Sequence, residues 1–598
     1  MIGDSLRFKT AVALVLLGLL VLLAGIGQKT IWAPAETVTA TAPSDSAAAP
    51  LTVIDQKLRT HGGGTVKISV KGEGSFLLAT GRPDDVSAWV GKTAHNTVSG
   101  VSEDSKSLQV THTDGEATSP TPAGSDLWVS TENASGDLNY TWNAPADGEW
   151  SLLLASDGTK PAPSSISMTF DNDTSTPWAV PFMVLGGLIV LAGLALLMFK
   201  PKGGRNSRTG GTGGIDSASP DRDSTSAGRG SASGSTAVNS TRVNSTNFTR
   251  MSGLRRMGLA RGGFIVAALT ATAVAGSGVA AQATTPAPSP SAASSAPAEP
   301  EAGEEAPVLL DAQLRRILEQ VASTVDTGDA AKDVEKLRAR VAGTELDVRG
   351  QNYKIRSQVG SYEARMPVRA TKQLTAVVPG KSDWPRSVLA VTQGDGNVVP
   401  QLLTLVQAGP RENYKLVLTT PLQPGTTLPA IGTEGSESLA AGDKSGLLYS
   451  GEEALAGLGD RLAKDDSTFK DKLVEGQSSP YIADTLAYQA DAVKSGPNGN
   501  FAFTHKVDPK QTVVFRTADG GALVLGRLDF AFDGTPKASG DKLTIGDDAA
   551  VLAGGKETTS GMVLNFAESV AVYVPPTGSK DPMKLVAATR GLIGASFK

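Results

Sequence analysis

Long apolar stretches divide the chain before any finer pattern is read. They run from Thr10 to Gly27, from Trp178 to Phe199 and from Gly262 to Ala281. Each is close to the ~20 residues that cross a bilayer core as a helix, a better fit than buried core helices. Basic residues sit at one end of each: Arg7 and Lys9 before the first, Lys200, Lys202, Arg205 and Arg208 after the second, Arg255, Arg256 and Arg261 before the third. Because cytoplasmic flanks retain Lys and Arg, this pattern predicts a cytoplasmic N-terminus and a cytoplasmic 200–261 segment. Residues 28–177 and 283–598 then lie outside, with Trp32 and Trp178 at the outer interface. The third stretch is rich in Ala, Gly and Thr and ends in Ala281-Gln282-Ala283 ahead of a Pro/Ala/Ser tract, a pattern that also fits signal-peptidase cleavage. Met251-Ser-Gly-Leu-Arg255-Arg256 even looks like the start of an independent exported protein. Residues 262–281 are therefore expected to be a transmembrane helix or signal-anchor, with the uncleaved helix preferred.

Between the first two stretches, residues 51–170 carry the alternation of half-buried strands. It shows in Thr65-Val-Lys-Ile-Ser-Val70, in Leu127-Trp-Val-Ser130 and in Trp150-Ser-Leu-Leu-Leu154, with Gly, Asp and Pro clusters between. Regularly punctuated strands predict an all-β sandwich, interrupted by one short helix over Asp84 to Trp89 that starts at Pro83-Asp84-Asp85. Phe76-Leu-Leu-Ala-Thr-Gly81, Asp85-Val-Ser-Ala-Trp-Val90, Ala94-His95, Trp128-Val-Ser130, Tyr140-Thr-Trp142 and Gly148-Glu-Trp150-Ser-Leu-Leu together resemble a module that recurs in actinobacterial membrane proteins. The resemblance covers residues 10–200. It implies an extracytoplasmic β-domain held between two transmembrane helices, and it implies no activity.

Residues 200–261 are Gly, Ser, Thr, Asn and scattered Arg, too poor in apolar residues to build a core, and are expected to form a disordered cytoplasmic linker. Residues 284–306 are a Pro/Ala/Ser/Glu spacer. From 308 the pattern is globular. Leu310, Leu314, Ile317, Leu318, Val321 and Val325 keep helical spacing, and Val334, Leu337 and Val341 predict a second helix stopped by Gly343. Strands follow at Arg386 to Thr392, Val399 to Val406 and Tyr414 to Thr419, the first two joined by the turn Gly394-Asp-Gly-Asn397. The order then repeats, with helices at Glu452 to Leu462 and Phe469 to Leu486. The second round of strands covers Phe501 to Val507, Thr512 to Arg516, Ala522 to Phe530, Met562 to Phe566 and Val570 to Val574. Two modules, 308–435 and 449–598, are thus expected, each α+β with helices packed on an antiparallel sheet. This element order resembles tandem domains of the nuclear-transport-factor-two or cystatin type.

Composition changes the picture in two ways. The chain of 598 residues holds no cysteine, which excludes a disulfide framework, thiolate metal sites and a cysteine nucleophile. The net charge of −5 hides a linker of +8, since residues 200–261 carry eleven Lys/Arg against three Asp. A basic stretch confined to a flexible linker gives no nucleic-acid footprint.

Candidate chemistry is thin. His61-Gly62-Gly63-Gly64 matches an esterase oxyanion-hole pattern, but the Gly-x-Ser-x-Gly elbow that chemistry needs is absent, and a glycine-rich hairpin turn explains the run. His61, His95, His112 and His505 show no metal-ligand spacing, and His505 shares a strand face with Phe501 and Phe503 as a packed histidine would. Asp84/Asp85, Asp465/Asp466, Asp547/Asp548 and Asp171-Asn-Asp173 are explained by helix caps and solvated turns. No residue is assigned as catalytic, cofactor-binding or metal-ligating, and no cofactor is expected. The sequence therefore predicts a membrane-anchored cell-envelope protein with non-catalytic extracytoplasmic binding regions. Its expected partners are the lipid bilayer and either cell-wall polymer or other envelope proteins, with no nucleic acid. The alternative is an accessory component of cell-wall polymer synthesis, or an enzyme without a recognisable motif.

Overall fold

The computed structural model describes residues 2–61, 64–146, 148–199, 307–380, 383–430, 436–478 and 480–598. The expected linker, the spacer and the third apolar stretch at 262–281 lie outside the described residues. The chain forms two compact units. One is built from Met1–Pro34 and Thr174 onward, the other from Ala35–Asp173 together with the C-terminal half.

Helix α1 (Ile2–Lys29) opens the chain. The following region holds β1 (Thr37–Thr41), β2 (Leu51–Ile54), β3 (Val66–Gly81), α2 (Pro83–Val90), β4 (His95–Val101), β5 (Leu108–Thr113), β6 (Ser130–Trp142), β7 (Ser151–Ala155) and β8 (Ser165–Asp171). Helix α3 (Ala179–Met198) follows.

Helices α1 and α3 are both long and apolar enough to cross a membrane, with mean hydropathies of 2.6 and 2.5. They pack on each other along a seam of small residues seven apart: Ala11, Gly18 and Gly25 on α1, and Ala179, Gly186 and Gly193 on α3. The seam is tight because it lacks side chains. A Cβ on Gly18 would lie 2.7 Å from the Val190 backbone N, and one on Gly193 would lie 2.7 Å from a Val15 methyl. Small residues let helix backbones approach closely, which is how helices associate where no hydrophobic effect drives them. The large side chains, among them Leu16, Leu20, Leu188 and Leu191, point away from the seam and stay exposed.

Residues 35–173 give a β-fold in which the expected pair of facing sheets is replaced by one branched sheet. Its order is β1-β8-β3-β7-β2-β4-β5, with β6 paired along β3. The long strand β3 is the reason. Its first half, Lys67 to Lys71, pairs with β8; its second half, Leu77 to Gly81, pairs with β7. Gly74 (φ +97) sits at the register break between the halves, a backbone position that L side chains rarely adopt. The second half of β3 and all of β7 are buried on both faces. Leu78, Leu152 and Leu154 face one core, while Leu77, Ala79 and Leu153 face α2 and Trp128. Leu127 and Trp128, expected in a strand, sit in the turn before β6, where the Trp128 indole N donates to the Pro122 carbonyl at 2.7 Å.

The C-terminal half begins with α4 (Asp311–Ala331), α5 (Gly343–Arg356), β9 (Lys372–Val377), β10 (Arg386–Gln393), β11 (Gln401–Gln407) and β12 (Lys415–Pro421), the strands forming an antiparallel sheet in the order β12-β11-β10-β9. It continues through β13 (Ser438–Leu439), α6 (Gly451–Ala463), β14 (Leu473–Glu475), α7 (Tyr481–Ser495), β15 (Gly499–Arg516), β16 (Ala522–Pro536), β17 (Leu543–Thr544), α8 (Asp547–Ala553), β18 (Glu557–Thr558), β19 (Met562–Val574) and β20 (Met583–Phe597). The larger sheet has the order β13-β15-β16-β19-β20-β14. The two sheets meet face to face through Val377, Leu389, Leu402 and Leu418 on one side and Phe515, Leu525, Ala571 and Val586 on the other. The outer face of the smaller sheet is covered by α4, and that of the larger by α6 and Ile482 of α7. Helix α6 starts on a full capping box, Ser450 with Glu453.

Several expected elements move. Val334 to Val341 is not an α-helix but a single 3-10 turn over Val334–Leu337. Gly343 (φ +55) opens α5 instead of ending a helix. The helix expected over Phe469 to Leu486 gives way to β14, which pairs in parallel with β20, and the helix proper starts after Pro480. The strands expected at Phe501–Val507 and Thr512–Arg516 are one strand across a bulge at Asp508/Val513, and those at Met562–Phe566 and Val570–Val574 are one strand through Glu568.

Since the chain lacks native cysteine, Val15→Cys/Gly193→Cys should form a disulfide on mild oxidation of membranes, seen as a mobility shift. Gly186→Leu, which drives a side chain into the Leu22 backbone, should abolish it. Equal cross-linking with and without Gly186→Leu would refute the small-residue seam.

Candidate interaction site

The residues of greatest interest lie where two stretches far apart in sequence meet inside one compact unit. From the first region, α2 and the turn before β6 contribute Asp85, Trp89, Asp126 and Trp128. From the C-terminal half come Arg340, Trp384, Arg386 and Arg411. The α2 start is set by Pro83 at the first helical turn, which points Asp85, Val86, Trp89 and Val90 inward.

Two ion pairs bridge the regions, and both are buried. Asp126 and Arg340 have side chains 1% and 9% exposed, and Arg340 Nη2 lies 3.0 Å from Asp126 Oδ1 while Nη1 meets Oδ2. The same carboxylate accepts the Tyr414 backbone N–H at 2.8 Å, and the Asp126 N–H donates to Asn413 Oδ1 at 3.0 Å. Asp85 and Arg386, 2% and 1% exposed, meet at 2.7 Å. Burial pushes the Asp85 carboxyl up, and the Arg386 guanidinium opposes that shift. Arg386 also lies 3.9 Å over the Trp384 ring, and Trp384 packs against the cluster of Leu51, Leu77, Trp89, Trp128 and Leu153. Thus a tryptophan from one region fills out the core of the other.

Carbonyl groups complete the contact. Arg411 donates to the Trp89 and Val90 carbonyls at 2.8 and 2.9 Å and to Thr93 Oγ1 at 2.7 Å. The carbonyls belong to the last turn of α2, where the helix dipole favours a cation. Arg316 reaches the Trp128 carbonyl at 2.6 Å, and Gln313, in the first turn of α4, donates to the carbonyls of Asp126 and Leu127 at 3.2 Å. Trp and Arg set in a desolvated centre are the composition of an interface that carries binding energy.

A second polar cluster lies wholly inside the C-terminal half. Glu568 in β19 is 0% exposed. Its Oε2 is 2.6 Å from His505 Nδ1 in β15, and its Oε1 takes the Tyr481 hydroxyl at 2.8 Å and the Arg590 guanidinium at 2.8 Å. Gln489 in α7 lies 3.2 Å from His505 Nε2 and donates to the Leu462 carbonyl at 2.9 Å. The Nδ1 edge of the His505 ring thus faces the Glu568 carboxylate, and the Nε2 edge faces the Gln489 amide. The ring stacks on Phe530 with centroids 4.4 Å apart. Burial alone would push the Glu568 carboxyl up; Arg590 and His505 instead hold it down to about 2. The cluster pins α7 to the sheet. It has no exposed nucleophile or acid, and its chemistry is that of a satisfied buried network. A similar clamp joins α4 to α5: Arg349 is held by Glu345 and, bidentately, by Asp329 at 2.7 and 2.8 Å.

The other residues weighed from sequence stay apart. His61 lies in the connection to β3, edge-on to Phe170, and not in a hairpin. His95 contacts the Thr93 carbonyl, and His112 contacts Asn96. Asp465 pairs with Lys470 on the surface, Asp547 and Asp548 open α8, and the Asp171 carboxylate accepts the Thr65 N–H. Asp85 departs from the expected solvated cap, since it is buried and ion-paired. Among the described residues no group of three or more His, Asp or Glu could hold a metal ion. Sequence reasoning missed Arg340, Trp384, Arg386 and Arg411, which fall in loops and at strand starts and carry no motif.

Residues 305–596 match a family described as a domain of unknown function, DUF8094. No curated protein and no solved structure matches the chain.

Glu568→Gln should destabilise the fold by about 3–5 kcal/mol in chemical denaturation, since Arg590 loses its buried counter-charge. The folded-state value of Glu568 lies below the unfolded one of about 4.3. Its contribution is therefore complete above that pH and lost as pH falls toward about 2. The variant should show a shallower acid limb than the parent; identical limbs would contradict the assignment.

Proposed function

We propose that this chain is a membrane-anchored cell-envelope protein whose two folded regions, residues 35–173 and 307–598, lie outside the cytoplasm and act as one non-catalytic binding platform. The observation that carries the reading is the buried Asp126–Arg340 pair, together with Trp384 seated in the core of the β-region. Two regions that share a core must occupy the same side of a bilayer. A crossing by α3 between them then requires a return crossing before residue 307, and the apolar stretch at 262–281 is the sequence suited to it. The basic flanks favour a cytoplasmic 200–261 segment. The exposed leucines of α1 and α3, and the exposed Trp32 and Trp178, suit hydrocarbon and its interface.

A binding role is favoured over catalysis by the state of the titratable groups. The buried Glu568 carboxylate has its oxygens engaged by His505, Tyr481 and Arg590, so the Glu568–His505 pair is closed to a substrate. Cell-wall polymer and other envelope proteins are the partners in keeping with this placement, and the actinobacterial module that residues 10–200 resemble has the same anchoring plan.

Single cysteines in this cysteine-free chain test the topology. Glu103→Cys and Ser596→Cys should react with a membrane-impermeant thiol reagent in intact cells, whereas Gly230→Cys should react only after permeabilisation. Labelling of Gly230→Cys and Ser596→Cys under the same condition would overturn the proposal. Retention of the purified chain on insoluble cell-wall polymer, compared with partner capture from solubilised membranes, separates the two partner classes.

A further inference from the structure

The contact between residues 35–173 and the C-terminal half has the construction of an interface between two proteins. We infer that the C-terminal half carries a self-sufficient docking surface for the β-region, centred on Trp384, Arg340, Arg386 and Arg411, and that the two associate without the covalent link between them. The chain is in this sense a two-subunit complex written as one polypeptide. The inference does not depend on which side of the membrane the regions occupy.

Each half has its own core. The β-region closes around Ile54, Ile68, Leu78, Leu154 and Phe170. The C-terminal half is filled by the clusters on both faces of its two sheets and between them. These cores contain no residue of the opposite half. Among the described residues the shared cluster is the one around Trp89 and Trp128, which Trp384 enters from the C-terminal half as a partly buried anchor. An anchor tryptophan entering a partner's apolar pocket, with the buried Arg386 stacked on its ring, is how protein–protein interfaces concentrate affinity.

The polar contacts are equally selective. The charged groups that bridge the boundary are paired: Arg340 with Asp126, Arg386 with Asp85, and Arg411 with the carbonyl end of α2, while Asn413 meets the Asp126 N–H and the Gly124 carbonyl. A buried charge that lost its partner would be strongly disfavoured, so such a surface rejects a mismatched or displaced partner. The sequence gives an independent sign of separability. Met251-Ser-Gly-Leu-Arg255-Arg256, followed by an apolar stretch and a Pro/Ala/Ser tract, has the layout of an exported protein's start, and everything the docking surface needs lies after it. A tether would raise the effective concentration of the β-region at this surface to the millimolar range at most. The ion pairs and the anchor supply the rest.

The test uses the full chain with a specific protease site inserted at Gly230 and an affinity tag at the C-terminus. The protein is cleaved in mild detergent and captured by the tag. The fragment ending at residue 230 should be recovered with the C-terminal fragment in near-equal amount. Trp384→Ala/Arg411→Ala, which removes the anchor and the α2 contact, should lower that recovery at least tenfold. Unchanged protease resistance of the C-terminal fragment would show that the half stays folded. Loss of the N-terminal fragment from the parent after cleavage would overturn the inference. So would full recovery in the doubly substituted chain, which would mean that membrane helices hold the fragments together.

Discussion

A charge removed from water must be matched where it is buried, and this requirement organises the C-terminal half and its union with the β-region. Three sites show it. Glu568 is closed by Arg590, His505 and Tyr481 and fixes α7 on the large sheet. Arg349, closed by Glu345 and Asp329, fixes α5 against α4. Asp126 and Arg340 meet across the boundary between the two regions. Replacing any one partner strands the other in a low-dielectric interior, a cost larger than the modest net gain of an intact pair. The pairs thus act more through the penalty for wrong arrangements than through added stability.

The apolar framework makes such pairing possible. In the C-terminal half, two sheets stacked face to face with helices outside bury long strands on both faces, so a polar residue in mid-strand has no route to water. That is why Glu568 and Ser569 in β19 are buried and why Glu568 must be neutralised from neighbouring strands and from α7. In the membrane unit the logic is reversed. Association of α1 with α3 rests on what is missing, the side chains of Gly18, Gly25, Gly186 and Gly193, while the leucines remain outside the seam.

The sequence made the first two apolar helices, the alternating strands and the first helix of the C-terminal half legible, because an unbroken apolar run or a simple period marks each. It was misleading where a local rule met a tertiary demand. Glu568 split one long strand into two apparent ones, since a charge in mid-strand reads as a turn. Leu127 and Trp128 look like a strand by hydrophobicity, yet they are a turn whose side chains plug the α2 layer. Gly343 ends a hydrophobic run and was expected to stop a helix; with φ +55 it starts one. Asp85 sits where a capping acid belongs, and only the fold reveals Arg386 beside it. The interface arginines were invisible for the same reason: a cation's partner can be chosen from sequence only when both lie on one element, and these partners are hundreds of positions apart.

The β-region and the C-terminal half are locked together by desolvated contacts at Asp126. Amide hydrogen exchange on the intact chain tests it most directly, because the Asp126 N–H donates to Asn413 Oδ1 and the Tyr414 N–H to Asp126 Oδ2, each closing across the boundary. Both amides should exchange slowly in the parent and accelerate together in Arg340→Ala, while the amides paired between β16 and β19 keep their protection. Exchange of both at the rate of an open loop in the parent would contradict the account.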